Sequence, residues 1–259
     1  MKIGICAALD KLEKFESMGF DYIEATVVSL MEMDMPAIKS AEARIRRCRI
    51  SVEACNVFFP KSLAFVGPDA DLPALKAYLS EAVSRVARIG AKIIVFGSGA
   101  SRAAPAGFDL AAARAQLRDV IALAGETAGA CGVTVAIEPL NAKETNLITS
   151  VPEGLEMARD VNHESVRLLA DFYHMRVEGE PMASLTPTGP MLAHAHIARR
   201  EGRTYPTCES EDSYGDFFAA LKSIGYQGRL SIEGQTADED ADAPKSLAFL
   251  RSMADKAKL

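Results

Sequence analysis

The chain has 259 residues, of which 49% are hydrophobic and 25% charged, a composition typical of a globular protein with one sizeable core. Its net charge of −6 argues against a nucleic-acid partner, and no apolar run approaches the roughly 20 residues of a membrane span. Five cysteines without a CxxC pair, and an N-terminus without signal-peptide features, predict free thiols and a cytoplasmic protein.

The first half of the chain predicts four strand–helix units. Apolar residues at helical spacing follow each strand, and Gly19 and Gly90 end two of the helices. Pro36 begins the second helix, and Asp109 caps the fourth. The four strands are expected over residues 2–6, 22–27, 51–57 and 92–96.

The second half repeats this alternation. Its strands are expected over residues 134–138, 166–174, 192–198 and 230–234. Helices are expected over 152–160 and 214–224, with a terminal helix from Pro244 and at best a short helix over 182–190. Eight alternating units predict an α/β protein, a single (β/α)8 TIM barrel over residues 1–259. The alternative is an open doubly wound sheet, which the lack of a GxGxxG after the first strand disfavours.

Each of the last four predicted strands carries a metal-type ligand near its carboxyl end. A buried carboxylate needs a partner, and a barrel brings these strand ends together. A single such acid is explained by an arginine or a helix N-terminus, but four ligands on consecutive strands favour one metal site. Three carboxylates and an imidazole suit Mn²⁺, Mg²⁺ or Co²⁺ better than a structural zinc ion. The four residues are Glu138, Asp171, His196 and Glu233.

Several motifs resemble one family, the xylose-isomerase-like sugar isomerases and epimerases, and within it the ketose 3-epimerases and hydroxypyruvate isomerases. The resemblance covers nearly the whole chain, but this family also contains dehydratases and a DNA-repair nuclease, so it does not specify the substrate. The motifs are Ile137-Glu138-Pro139-Leu140-Asn141 with Glu144, Asp171-Phe172-Tyr173-His174, His194-Ala195-His196 and Ser231-Ile232-Glu233-Gly234.

The resemblance implies that Glu138, Asp171, His196 and Glu233 bind one divalent ion, with Mn²⁺ expected first, Mg²⁺ or Co²⁺ next and Zn²⁺ least. Glu138 and Glu233 would also be the catalytic acid/base pair.

The same resemblance assigns substrate-binding roles to three further residues. His174 would contact a substrate oxygen near the metal, and Glu144 would bind terminal hydroxyls. Arg203 would also bind substrate, with Arg199 or Arg200 as alternatives because the spacing there is looser.

The function expected first is a divalent-metal-dependent isomerase or epimerase of a small unphosphorylated ketose or hydroxy-ketone. Protons would move through a metal-stabilised enediolate, with one carboxylate removing a proton and another returning it. The acidic stretch from Asp238 to Asp242 would repel a phosphate. A homo-oligomer is left open.

Three alternatives are a dehydratase or lyase of a cyclic keto-polyol of the inosose type, an abasic-site DNA endonuclease, and a non-catalytic sugar-binding barrel. The chain has too few histidines and the wrong charge for the nuclease, and no ligand or base is missing as a binding-only barrel would suggest.

Four other polar residues have open interpretations. His194 is expected to be a hydrogen-bonded core histidine, and His163 a surface residue on the opposite rim. Glu24 and Glu53 lie near strand ends, where they either contact substrate or pair with a Lys or Arg.

Two loop features are equally open. Gly97-Ser98-Gly99 is either a weak phosphate cradle or a place where the backbone approaches closely. Phe58, Phe59 and Phe65 either form an apolar lid or cover the barrel end.

Overall fold

The computed structural model describes residues 1–259 and consists of a closed barrel of eight parallel strands. Each strand pairs with the next along the chain, and the last pairs with the first through Ile3 and Leu230. The predicted (β/α)8 fold is therefore confirmed. The strands are β1 Lys2–Cys6, β2 Tyr22–Thr26, β3 Ser51–Asn56, β4 Ile93–Phe96, β5 Thr134–Ile137, β6 Val166–Asp171, β7 Leu192–Ile197 and β8 Arg229–Ile232.

Ten α-helices connect or follow the strands, and most predicted helices lie within a few residues of their observed positions. Short 3-10 helices cover Leu9–Lys11, Met182–Met191 and Glu209–Glu211. The α-helices are α1 Leu12–Met18, α2 Val27–Glu32, α3 Met35–Ile45, α4 Leu72–Arg88, α5 Gly99–Arg102, α6 Leu110–Gly129, α7 Val151–Val161, α8 Phe172–Glu178, α9 Tyr214–Ser223 and α10 Glu239–Ala257.

Two predicted boundaries were wrong. The stretch 166–174 is not one extended segment, because Asp171 ends β6 and its side chain accepts a hydrogen bond from Tyr173 N at 2.7 Å, which starts α8. Likewise, α10 begins at Glu239 rather than at Pro244, since the Asp238 side chain caps Ala241 N at 3.0 Å. His174 therefore lies on a helix, and the acidic stretch is mostly a helical first turn.

The apolar core has two layers. The larger one, of 64 buried residues, lies between the outer face of the barrel and the surrounding helices. The smaller one fills the barrel interior below its carboxyl end. It consists of Ala54, Ile93, Val95, Ala136 and Leu169.

Two irregularities in strand register lie next to polar interior residues. The β2–β3 register shifts between Ile23 and Glu24, and the β6–β7 register shifts between Leu168 and Leu169. Such bulges re-aim the side chains that follow them. No helix is long and apolar enough to cross a membrane.

The interior of the barrel leaves no room for a methyl group at Gly4, because a Cβ there would lie 2.3 Å from the Tyr22 ring. Gly4→Ala is expected to destabilise the fold by about 1–3 kcal/mol, the usual cost of overpacking. The free energy of unfolding in urea is the measurement. Gly215→Ala is the control, since no atom lies within 4 Å of its Cβ. Equal stability of Gly4→Ala and wild type would contradict this packing.

Candidate active site

The four predicted ligands converge at the carboxyl end of the barrel. Asp171 and His196 are register partners at the ends of β6 and β7, while Glu138 and Glu233 directly follow β5 and β8. Backbone hydrogen bonds from Glu138 N to Phe96 O and from Glu233 N to Ile197 O fix the latter two to neighbouring strands. One ligand atom from each residue lies within 4.8 Å of the others.

Three buried atoms around this point lack a hydrogen-bond partner: Glu138 Oε1, His174 Nε2 and His196 Nδ1. His196 Nδ1 lies 3.3 Å from Glu138 Oε1 and 3.4 Å from Glu233 Oε2. Buried polar atoms without partners are costly, and each such atom in a native structure needs an explanation. A divalent cation coordinated by carboxylate oxygens and one imidazole nitrogen fits this donor set.

The pKa values reflect a buried cluster with too little positive charge. Burial raises the pKa of Glu138, and burial raises that of Asp171 to about 6 despite the nearby Arg203. Burial also acts to raise the pKa of Glu233, but His196 and Arg203 outweigh it and lower that pKa to about 2.

The pKa of His196 moves in the opposite direction. Burial lowers it, but the carboxylates of Glu24 and Glu233 outweigh burial and raise it well above its usual value. A metal ion at Nδ1 would therefore displace a proton, as ligand sites commonly require.

A second group of potential ligands, Cys6, Glu24 and His196, lies one layer deeper. Burial raises the pKa of the Cys6 thiol well above its usual value, which disfavours the thiolate that metals bind. Glu24 already accepts hydrogen bonds from two imidazoles. The outer group of Glu138, Asp171, His196 and Glu233 therefore suits a divalent cation better than this deeper group.

His174 points its Nε2 atom into the site. Its Nδ1 accepts a hydrogen bond from the backbone N of Asn141 at 3.1 Å, and a backbone N–H can only donate. Nε2 must therefore carry the proton when the ring is neutral, and burial lowers the pKa of His174, which favours that neutral form. Nε2 lies 3.5 Å from Asp171 Oδ2. His174 is thus a hydrogen-bond donor at the metal end of the site.

Arg203, rather than Arg199 or Arg200, reaches the site. Its guanidinium pairs with Glu233, lies 3.5 Å from Asp171 Oδ2 and 3.6 Å from Glu144 Oε1, and stacks 4.6 Å from the centroid of the Tyr173 ring. Arg199 instead pairs with Glu201. Glu144 is partly exposed and also accepts a hydrogen bond from Asn141 Nδ2 at 2.8 Å.

The open polar residues fall into different places. His194 is fully buried and lies 2.7 Å from Glu24, so its prediction as a hydrogen-bonded core histidine is confirmed. Glu24 is also fully buried but pairs with histidines rather than with a Lys or Arg. Glu53 pairs with Lys2 and Arg229, at the amino-terminal ends of β1 and β8, so the second of its two interpretations is confirmed.

His163 precedes β6 on the opposite rim and is partly exposed, as expected of a surface residue there, with its ring next to Gly125 on α6.

Gly97-Ser98-Gly99 allows close approach. A Cβ at Gly97 would lie 2.2 Å from Glu138 Oε2, and one at Gly99 would lie 2.4 Å from the carbonyl oxygen of Glu144. Ser98 Oγ is already used, because it accepts a hydrogen bond from Phe59 N at 3.0 Å. The segment makes room for the Glu138 carboxylate and for the backbone of Glu144.

The three phenylalanines after β3 are buried and pack around Phe96 at the end of β4. They cover this part of the barrel and do not form an exposed lid. Beside them lies a cleft of about 470 Å³ that ends at Glu144 and Arg203. It is lined by Val57, Phe59, Lys61, Ser98, Gly99, Ala100, Ser101, Glu144 and Arg203.

Sequence reasoning left out Asn56 and Asn141. Asn56 Nδ2 donates to Glu233 Oε1 at 2.7 Å, and Asn141 orients both His174 and Glu144. Asn141 could have been found from the sequence, because it is the last residue of the motif that contains Glu138. Asn56 ends β3, a strand for which no ligand was sought.

The fold and site define a class of protein, the TIM barrels with a carboxylate and histidine cluster at the carboxyl ends of their last four strands. The family model described as "Xylose isomerase-like TIM barrel" matches residues 12–253. The chain belongs to this family.

The relatives of the chain include sugar epimerases. It is 34% identical over 108 residues to an L-ribulose 3-epimerase of Methylomonas sp. (strain DH-1), an alignment that covers 41% of this chain and 37% of that protein. It is 26% identical over 250 residues to a ketose 3-epimerase of Arthrobacter globiformis, covering 93% and 83%.

Among solved structures, a D-allulose 3-epimerase from Methylomonas sp. in complex with D-allulose superposes with a TM-score of 0.85 at 22% identity. The alignment covers 98% of this chain and 97% of that one. At this identity the likeness shows the shared fold.

Gly97→Ala is expected to push the Glu138 carboxylate away from the other ligands. Because the contact is with the end of a side chain, the Glu138 side chain can shift and the fold should lose little stability. The affinity for Mn²⁺ should fall by about 10–100-fold, as for other changes in the support of a ligand. Isothermal titration calorimetry measures this, with Gly215→Ala again as control. Unchanged affinity would show that the position of Glu138 does not matter for the ion.

Proposed function

We propose that the protein is a divalent-metal-dependent epimerase or isomerase of a small unphosphorylated ketose. The observation that carries this proposal is the convergence of Glu138, Asp171, His196 and Glu233 around a point where two buried ligand atoms, Glu138 Oε1 and His196 Nδ1, lack a hydrogen-bond partner. In this proposal each chain binds one divalent ion, and Mn²⁺ is the first candidate. A bound divalent ion would polarise the substrate carbonyl and stabilise the enediolate that forms after proton removal.

Glu138 and Glu233 are the acid/base pair of this proposal. They directly follow β5 and β8, and both lie close to His196 Nδ1. They therefore approach the site from different sides of the barrel. Coordination through one oxygen would leave the second oxygen of each for proton transfer. Asn56 and Arg203 hold the oxygens of Glu233, while the space next to Gly97 admits Glu138.

His174, Glu144 and Arg203 bind substrate in this proposal. His174 Nε2–H would donate to a substrate oxygen next to the acid/base pair, since its other nitrogen is held by Asn141. Glu144 and Arg203 border the adjacent cleft and would contact hydroxyls further along the sugar. The names of the relatives, L-ribulose 3-epimerase and ketose 3-epimerase, support a free ketose as substrate.

The acidic stretch after β8 now argues less strongly against a phosphate. Glu239 is neutralised by Lys11 at 2.7 Å and Lys14 at 2.8 Å, and Asp238 caps α10. The proposal of an unphosphorylated substrate therefore rests mainly on the relatives.

The five cysteines are unpaired, which supports a reducing cytoplasm. We also propose one barrel domain over residues 1–259.

The alternatives receive less support. Only two histidines lie near the outer group, because His194 is bound to Glu24 and His163 lies at the opposite rim. A nuclease with several zinc ions needs more histidines than that. The comparisons favour epimerases over a dehydratase of cyclic keto-polyols.

Asp171→Ala is expected to abolish stoichiometric metal binding. The variant loses a buried oxygen ligand at the centre of the cluster, and elemental analysis after purification in Mn²⁺ should find one ion per wild-type chain and far less in the variant. Asp212→Ala is a control, because Asp212 pairs with Arg176 away from the cluster. Equal metal content in Asp171→Ala and wild type would overturn the proposed site.

Glu138→Gln and Glu233→Gln are each expected to lower turnover of a ketose by about 10²–10⁴ at saturating Mn²⁺, the usual loss on removing a general base. The glutamines keep one oxygen donor, so the defect lies in proton transfer. Exchange of the substrate α-proton with D₂O should distinguish the two variants for an epimerase. Near-normal turnover in both would mean that the acid/base pair is wrongly assigned.

A further inference from the structure

The strongest unexplained feature is Glu24, a carboxylate in the middle of β2 that is fully buried inside the barrel. It has no Lys or Arg partner, although a buried charge requires compensation. Its neighbours are instead the two histidines of β7 and one serine of β8. The β2–β3 register shifts directly before Glu24, and a shift of this kind re-aims the side chain that follows it.

The hydrogen bonds of Glu24 determine which nitrogen of His194 and of His196 carries hydrogen. Glu24 Oε1 lies 3.0 Å from His196 Nε2, and Oε2 lies 2.7 Å from His194 Nε2. Ser231 Oγ donates to Oε2 at 2.6 Å and lies 2.8 Å from the Tyr22 hydroxyl. An ionised carboxylate only accepts hydrogen bonds, so both Nε2 atoms must carry hydrogen.

This arrangement has a consequence for His196. With hydrogen on Nε2, the nitrogen that can bind a cation is Nδ1, and Nδ1 is the atom that faces Glu138 and Glu233. His194 and Ser231 hold Oε2 from a second and third direction, so the carboxylate cannot turn away from His196 without losing two hydrogen bonds.

We propose that Glu24 is a positioning residue that fixes the tautomer and ring orientation of His196 and thereby sets the affinity of the site for its divalent ion. Mutating a residue that accepts a hydrogen bond from the other nitrogen of a metal-binding imidazole commonly lowers metal affinity by about 10–100-fold. The inference rests on the proposed metal site and concerns a residue that does not itself contact the ion.

The test compares Mn²⁺ dissociation constants of folded, metal-stripped variants by calorimetry. Glu24→Gln keeps the size of the side chain but replaces one acceptor oxygen with a donor, so one Nε2–H loses its acceptor. A 10–100-fold weaker affinity is expected. Glu53→Gln is the matched control, because it makes the same change at a glutamate that pairs with Lys2 and Arg229 and does not contact His196; its affinity should stay within about threefold. Unchanged affinity in Glu24→Gln, or an equal loss in both variants, would overturn the proposal.

A second measurement does not depend on the variant folding. The ¹⁵N chemical shifts of His196 in the wild-type protein with bound Mg²⁺ should show hydrogen on Nε2 and none on Nδ1. The opposite tautomer would overturn the proposal. Asp171→Ala separates the two levels of inference. If it removes binding while Glu24→Gln does not, only the role of Glu24 fails; if neither changes binding, the metal site fails as well.

Discussion

The site depends on the repulsion among three carboxylates that the closed barrel forces together. Glu138, Asp171 and Glu233 come from separate strands and meet at one point, where Glu138 and Asp171 are buried and Glu233 is partly exposed. Two like charges 4 Å apart repel by about 4 kcal/mol at an effective dielectric constant near 20. Arg203 and a protonated His196 supply positive charge, but Arg203 approaches from the loop side and leaves Glu138 Oε1 without a partner. A divalent cation at the centre resolves this imbalance better than either residue.

The support behind the ligands follows the same electrostatic logic. Two groups facing the centre are held on their far side by a polar partner, since Asn56 holds Glu233 and Asn141 holds His174. Glu24 plays this part for His196 and is itself fully buried. Its pKa lies below the usual range, because the two histidines outweigh the effect of burial.

The convergence of Glu138, Asp171, His196 and Glu233 could be predicted from the sequence because an acid or histidine at the end of an apolar strand is conspicuous, and because barrel topology brings strand ends together. Glu24 could not be assigned in this way. Its partners come from β7 and β8, and its orientation depends on a register shift that no local pattern records. Gly97 was equally ambiguous, since the Glu138 carboxylate that it accommodates lies on the next strand. The helix after Asp171 was missed because that residue ends the strand and caps the helix at once.

In the proposed function, different parts of the chain would carry the chemistry and the choice of substrate. The groups that would hold the ion and move protons lie at the ends of β5 to β8, where strand hydrogen bonds fix their backbones. Most of the cleft next to them is lined by residues after β3 and β4, among them Phe59, Lys61 and Ser101. In this fold the strand ends typically provide catalytic groups, and the loops vary with the substrate. Under the proposed function, a shared reaction type among relatives of low identity agrees with different sugars, and the loops after β3 and β4 would be where the substrate is selected.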